Sequence, residues 1–373
     1  MADPRGSKEL ISSYTSSITP SSVLSWFNDH GVDTKVESDG RTFPITDDSA
    51  TVANALLSAA RELKVTIQKK ALVTQIIPPT PTSPAFSLTL KNATSPLSLD
   101  ALIVATGSSR QGYDLLSTSF NHTIIAPVPS LFTLTSRSAV LHDLAGVSLP
   151  RVSVSVVIPK ELRETKKQKY ITQTGPVLIT HNGLSGPAAL KTSAFGARLL
   201  HSLNYEADLI VDWAPDVAPS TLEVVDILTQ YRLANPKRSL LATTPDCLAV
   251  AAIPKRLWAN LVKHAGIEKS TWAELNKKDL HHLAKTIKEC DLEMTGKGLF
   301  KEEFVTAGGV DLKEVNMKSM ASKLVKNLFI VGEALNVDAV TGGYNFLNCW
   351  TSGFTAGVEA GRSLEATETT EGR

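Results

Sequence analysis

The chain has 373 residues, of which 42% are hydrophobic, and its 38 Lys and Arg against 37 Asp and Glu give a formal net charge of +1. This balance excludes a strongly basic nucleic-acid binder and an acidic disordered tail, so no nucleic-acid partner is expected. The length predicts two to three domains whose cores need no disulfide or metal. Cys247, Cys290 and Cys349 form no Cys-x-x-Cys pair, which argues against a thiolate zinc site and favours a reducing compartment.

Membrane and export signals are weak. The longest apolar runs, such as 101–105, fall far short of the roughly 18 residues of a membrane span. The first 22 residues are rich in Ser and Thr but lack the apolar core of a secretory signal. Asp3 and Glu9 count against an organelle transit peptide. The expected location is the cytoplasm or an organelle interior, with no membrane partner.

The first third of the chain has an α/β pattern. Apolar residues at helical spacing predict helices over 20–31 and 47–63. A run without alternation, 99–105, predicts a strand buried on both faces of a parallel sheet, and it ends in Thr106-Gly107. Three further apolar runs predict strands, namely 65–68, 72–77 and 86–90.

The character of the sequence changes near Pro127. Alternation over Val152–Val156 predicts antiparallel β-structure up to about residue 215, and residues 220–290 are predicted to be helical, with Trp258 and Trp272 in the core. Residues 160–169 hold five Lys and Arg beside two Glu. Such a cluster can bind phosphate groups, but the interleaved acids favour a solvated hairpin loop.

The last third returns to an α/β pattern. A predicted strand over 328–331 leads into Gly332-Glu333, a loop with Asp338, the segment 341–345 and a helix to about Arg362. Glycines at a strand end and a helix N-terminus allow a phosphate to approach the backbone, although tight turns use the same glycines. Asp338 could equally cap a turn.

Two α/β segments therefore flank a stretch of different character. We expect one domain built from residues 1–128 and 301–373, interrupted by a β-rich and helical domain over 129–300.

Four segments together resemble the BaiN/YhiN-like flavoproteins, also called the aminoacetone oxidase family of FAD-binding enzymes. The resemblance extends in consistent order over about residues 20–362. The four segments are ALIVATG (101–107), THNGLSGP (180–187), FVTAGGV (304–310) and LFIVGEALNVDAVTGGYNF (328–346).

The resemblance implies an α/β fold of the two-dinucleotide-binding-domain type, with a parallel sheet, an inserted β-rich domain and a small helical part. It also implies an FAD-dependent oxidoreductase with a small-molecule substrate and with NAD(P)H as the electron donor. The implied FAD contacts are Val73, Thr106, Gly107, Gly332, Glu333, Val337, Asp338, Gly342, Gly343, Tyr344 and Asn345.

One departure from the family is clear, because no Gly-x-Gly-x-x-Gly occurs in the chain. We therefore expect the family's first βαβ unit to be missing and FAD to be held weakly. A flavin-free binding scaffold is the main alternative. A hydrolase built on His181 and Ser185 is remote, because the pattern around Ser185 is not Gly-x-Ser-x-Gly. His281 and His282 are adjacent on a predicted helix and make a poor metal pair, so no metal site is predicted.

Overall fold

The computed structural model describes residues 18–37, 40–242, 244–298, 305–340 and 342–371. The chain divides into two compact units, one formed by Met1–Pro127 with Thr306–Arg373 and the other by Val128–Val305. The expectations for Asp3, Glu9, Phe304 and Thr341 lie outside the described residues.

The first unit begins with two capped helices. A capping box between Thr19 and Ser22 starts α1, and the side chain of Asp48 caps α2. The elements in this part are α1 (Pro20–Asp29), β1 (Thr34–Val36), β2 (Thr42–Pro44), α2 (Ser49–Glu62), β3 (Val73–Ile77), β4 (Phe86–Leu90), β5 (Leu97–Leu99), β6 (Leu102–Val104), α3 (Arg110–Phe120) and β7 (Ile124–Ser130).

The second unit is a β-barrel with helices. Its elements are β8 (Leu134–Thr135), β9 (Ser148–Val157), β10 (Tyr170–Thr180), β11 (Gly183–Ser185), α4 (Pro187–Phe195), α5 (Ala197–Ser202), β12 (Glu206–Asp212), α6 (Thr221–Ala234), α7 (Lys255–His264), α8 (Lys277–Lys288) and β13 (Cys290–Lys297). The barrel closes in the order β10-β11-β8-β13-β12-β9.

Alternating side chains fill the second unit's core. Val152, Val154 and Val156 point inward from β9 and are fully buried. Trp258 and Trp272 are also buried, as expected, and stack with ring centroids 6.2 Å apart. One continuous apolar core therefore joins the barrel to helices α6–α8.

An ion pair between a buried lysine and a partly buried aspartate lies at the end of α8. Lys288 is 7% exposed, and its Nζ lies 2.6 Å from Asp212 Oδ2. The same ammonium donates to the carbonyls of Ala214 at 3.2 Å and Ala218 at 2.7 Å. Burial raises the pKa of the Asp212 carboxyl, although Lys288 and the Ala214 amide act in the opposite direction. Lys288 thus joins α8 to the segment that follows β12.

The chain then returns to the first unit through β14 (Val305–Val310), β15 (Val315–Asn316), β16 (Ala321–Ser322), β17 (Leu328–Ile330) and α9 (Gly342–Glu371). Its largest sheet has the order β15-β16-β17-β6, in which β17 and β6 are parallel. Strands β3, β4 and β5 form an antiparallel sheet, and β7 pairs with β14.

Two strand predictions were wrong in detail. Residues 65–68 form no strand, and Val65 and Ile67 are 54% and 45% exposed. The predicted strand 99–105 splits between β5, which pairs with β4, and β6, which pairs with β17. Ile103 is 39% exposed because β6 is an edge strand within the described part of the chain. Apolarity indicated a strand here but not how many neighbours it has.

Candidate functional site

The carboxyl ends of β6 and β17 form the centre of the candidate site. The strands are in register from Leu102↔Leu328 to Val104↔Ile330, and the Val331 amide donates to the Val104 carbonyl at 3.1 Å. Thr106-Gly107 and Gly332-Glu333 therefore leave the sheet side by side. A Cβ built on Gly107 would lie 4.0 Å from Glu333 Oε2. In α/β sheets, ligands bind in the crevice outside such carboxyl ends.

The turn after β17 is fastened to α9. Gly332 has a φ of +64°, which favours glycine, and its amide donates to Ser352 Oγ at 2.9 Å. The Ser352 hydroxyl in turn donates to the Asn348 carbonyl at 2.5 Å. A Cβ at Gly332 would lie 3.2 Å from Cys349 Sγ. The Gly332 amide is therefore directed at α9 and is not available to a phosphate.

Three protonatable side chains gather around this turn. The Tyr113 hydroxyl donates to the Glu333 carbonyl at 3.1 Å, and burial, assisted by the Glu333 charge, raises the pKa of Tyr113 to about 12. Burial also raises the pKa of the Glu333 carboxyl. The Cys349 thiol has a raised pKa, first through burial and then through the nearby Glu333 charge. The surroundings therefore favour the protonated form of all three groups.

The first turn of α3 is tightly packed against the end of β6. A Cβ on Gly112 would meet Thr106 Oγ1 at 2.1 Å, so only glycine permits this approach. Gln111 Nε2 donates to the Val73 carbonyl at 2.6 Å. Thr106 and Val73, two of the expected cofactor contacts, thus both lie at the start of α3. The Val73 carbonyl already accepts a hydrogen bond from Gln111.

The loop before α9 is buried and braced from within. Val337 and Asp338 are 1% and 0% exposed. The Ala339 amide donates to Asn345 Oδ1 at 3.1 Å, and Asn345 Nδ2 donates to the Ala339 carbonyl at 3.5 Å. The Asn345 side chain therefore supports the loop.

The start of α9 is more open. Helix α9 begins at Gly342, and the half-buried Tyr344 packs against the first unit's core. Gly343 is exposed, with no heavy atom within 4 Å of a Cβ built there. Gly343 therefore faces open space, unlike Tyr344 and Asn345 in the same turn.

The buried side of α9 has polar atoms that fit a cofactor. Both amide atoms of Asn348 and the hydroxyls of Thr351 and Thr355 are buried without a hydrogen-bond partner in the described structure. Such atoms are costly unless a ligand or water satisfies them. Together with the open space at Gly343 and the helix N-terminus, they fit a group bearing phosphates and hydroxyls, such as FAD.

Sequence reasoning missed Tyr113, Cys349 and Ser352. A usable signal existed for the last two, because Cys349 and Ser352 are three residues apart and share one face of the helix after the Gly342-Gly343 pair. Tyr113 lies in the first turn of the helix that follows Thr106-Gly107. A helix start after a strand end is a place to look for site residues.

The hydrolase alternative finds no geometric support. Among the described hydrogen bonds none joins His181 to Ser185, whose Oγ instead accepts from Thr133 at 3.3 Å.

A different trio, in the first unit, has the spacing of a catalytic triad. His122 lies 2.9 Å from both Glu314 Oε2 and Ser322 Oγ. The Ser322 oxygen also accepts from the amides of Leu324 and Val325, each at 3.0 Å, and His122 is 2% exposed. The lone pairs of the Ser322 oxygen are therefore already engaged by backbone amides. The three side chains instead hold together the segments that carry His122, Glu314 and Ser322.

The family described as HI0933-like protein Rossmann domain matches residues 2–359. A ribosomal RNA dihydrouridine synthase from Escherichia coli (strain K12) is 28% identical over 342 residues, which cover 87% of this chain and 75% of that protein. A protein of the same name from Haemophilus influenzae is 28% identical over 278 residues, covering 72% and 59%. A 3-dehydro-bile acid delta(4,6)-reductase from Clostridium scindens is 28% identical over 258 residues, covering 68% and 58%. The chain spans less than two thirds of the last two relatives. Among the helices of the described segments, none is long and apolar enough to cross a bilayer.

Proposed function

Because the chain belongs to the HI0933-like protein Rossmann domain family, we propose that it is an FAD-dependent oxidoreductase that reduces a carbon–carbon double bond next to a carbonyl group. The family match confirms the resemblance found in the sequence and the α/β fold class. The observation that carries the cofactor assignment is the parallel pairing of β6 with β17, whose carboxyl ends lead into Gly107 and Gly332, together with the open first turn of α9.

The names of the relatives support the reaction class. Dihydrouridine is uridine with two added hydrogens, and a delta(4,6)-reductase adds hydrogen to a carbon–carbon double bond. In uracil and in a 3-dehydro steroid with a double bond at carbon 4, that bond is conjugated with a carbonyl. A flavin supplies hydride chemistry of this kind when bound. NAD(P)H is the proposed electron donor.

The chain's own residues would bind and orient the cofactor. The N-terminus of α9 at Gly343 favours a negatively charged phosphate, and Gly107 allows the backbone to approach it. Glu333 would accept hydrogen bonds from the ribitol hydroxyls. Tyr113 would keep the Glu333 backbone in place, and the buried Asp338 would stabilise the loop that leads to α9.

A flavin-free binding scaffold is the second candidate. Two groups expected to serve the cofactor, the Gly332 amide and the Asn345 side chain, already have protein partners. The absence of Gly-x-Gly-x-x-Gly from the sequence favours the same alternative.

A substitution at Gly343 tests the cofactor site. Gly343→Val should weaken FAD binding by at least about tenfold, which corresponds to about 1.4 kcal/mol, because the new side chain would enter the open space. Quenching of flavin fluorescence on titration measures this. Gly361→Val is the matched control, since it also has no atom within 4 Å of its Cβ and lies farther along the same helix. Equal FAD affinity in both variants would reject the site, and no binding by the parent would favour the scaffold.

Glu333 should make the stability of the apoprotein depend on pH. Its pKa is raised by burial, so the folded state disfavours the carboxylate, and stability should fall as pH rises from the unfolded pKa through the raised folded pKa. Glu333→Gln removes the charge and should raise the Tm at neutral pH while flattening this pH dependence. Thermal scans of both proteins across the acid-to-neutral range measure it. A Tm at neutral pH that drops in the variant would contradict the assignment.

A further inference from the structure

The loop between β9 and β10 bears a cluster of cations without ion-pair partners. Lys160, Lys166, Lys167 and Lys169 are exposed, and within the described residues none of these ammonium groups forms a salt bridge. Arg163 differs, because its Nε donates to the Ile158 carbonyl at 2.9 Å and so folds the loop. Glu161 and Glu164 are exposed in the same loop, so its five Lys and Arg leave an excess of three positive charges there.

The outer face of β9 and β10 adds no acidic residue to this surface. Tyr170, which is 47% exposed, lies where the loop meets β10. Beyond it, Thr172 and Thr174 point outward and pair with Ser155 and Ser153 at 2.8 Å and 2.7 Å. The surface therefore combines an exposed aromatic ring, a row of hydroxyls and the lysines.

The neighbouring strand pair has the opposite charge. On β12 and β13, Asp208 lies directly opposite Glu293, with Glu206 and Asp291 exposed nearby. Like charges placed opposite each other are destabilising in a sheet. The near-neutral net charge of the chain thus conceals a separation of charge on one barrel, and such a separation orients a polyanion as it approaches.

We propose that the β9–β10 loop and the adjoining outer face of these strands bind single-stranded RNA. Lysines that neutralise phosphates beside an aromatic ring that stacks with bases are the combination that single-strand binding requires. The assignment rests on the proposed function in one respect, namely the choice of a uridine-rich RNA as the ligand. The near-zero net charge excluded only a strongly basic nucleic-acid binder, and the interleaved acids favoured a solvated hairpin loop; the proposal departs from that expectation because the loop keeps an excess of lysines beside an exposed ring.

The test is the salt dependence of RNA binding by the full chain. A fluorescent uridine-rich RNA of about 20 nucleotides exceeds a typical single-strand site. Its affinity for the parent should fall steeply between about 50 and 200 mM salt. Changing Lys160, Lys166, Lys167 and Lys169 to Gln should reduce the slope of log K against log salt by about 3, and should lower affinity at least about tenfold at low salt.

Two further variants sharpen the result. A control with Lys263, Lys277, Lys278 and Lys285 changed to Gln removes the same charge from exposed positions of the second unit, and it should leave the slope nearly unchanged. Tyr170→Ala should weaken binding about fivefold or more with the slope preserved, because stacking does not release counterions.

Equal slopes for the two lysine variants would overturn the proposal. So would binding to phosphatidylserine vesicles in place of RNA. Flavin titration is independent of these measurements, so failure of RNA binding and failure of the oxidoreductase assignment can be told apart.

Discussion

Lys288→Met should lower the free energy of unfolding of the second unit by about 3–5 kcal/mol, because the Asp212 carboxylate, whose side chain is only 20% exposed, and two backbone carbonyls lose their cation. The side chain of Lys288 is 6% exposed, and its ammonium serves one carboxylate and two carbonyls. Methionine fills a similar volume but satisfies none of them. For a unit of this size the Tm should fall by about 6–20 °C.

The loss of stability in Lys288→Met should depend on pH. Without Lys288 the Asp212 carboxyl, whose pKa is already raised by burial, can relieve its charge by taking up a proton. The destabilisation should therefore be larger at neutral pH than at about pH 5. Lys288→Met combined with Asp212→Asn should recover part of the loss, because it removes the charge.

Tryptophan fluorescence provides the measurement. The second unit contains the buried Trp213, Trp258 and Trp272, so their unfolding transition reports on it. Lys285→Met is the control, since Lys285 lies on the same helix and is exposed. Similar melting of the Lys288 and Lys285 variants at neutral pH would show that the ion pair is not needed.

Ser352→Ala should loosen the turn that carries Glu333. It leaves the buried Gly332 amide without an acceptor, which costs about 1–3 kcal/mol. If that loss is expressed in cofactor binding, FAD affinity should fall about tenfold to a hundredfold.

Hydrogen exchange separates the structural effect from the cofactor. The Gly332 amide should exchange faster in Ser352→Ala even when no FAD is present. Ser363→Ala is the control, because the Ser363 hydroxyl donates to Ala360 one turn earlier on the same helix. Unchanged exchange at Gly332 would show that Ser352 does not hold the turn.

Local patterns predicted most elements of the fold. Helical spacing and a cap located α2 to within two residues at each end, and β4 matched its prediction. The failures arose where tertiary context decides. Val65 and Ile67 are apolar enough for a strand, but no strand among the described residues pairs with them. Strand β13 begins at Cys290, directly after the stretch that was predicted to be helical. Its short alternating pattern was therefore not recognised as a separate strand.

The candidate site was predictable only as a set of backbone positions. Glycines and strand ends indicated where Gly107 and Gly332 leave the sheet. The hydrogen bonds of Tyr113 and Ser352 connect segments that are distant in sequence or separated by a loop. No local pattern encodes such partners, since their geometry depends on how α3 and α9 pack against the strand ends.

The pairing of β6 with β17 has a consequence for the order of folding. Leu102 and Leu328 lie on opposite sides of the whole second unit in the sequence, so their contact closes a very long loop. The second unit is one uninterrupted stretch and can complete its barrel earlier during synthesis. Once it has folded, β7 and β14 are brought together, and much of the entropy of that loop has already been lost. The first unit can complete its sheet only after β17 and α9 have left the ribosome. Until then, the edge of β6 that pairs with β17 stays unpaired in the amino-terminal half of this unit.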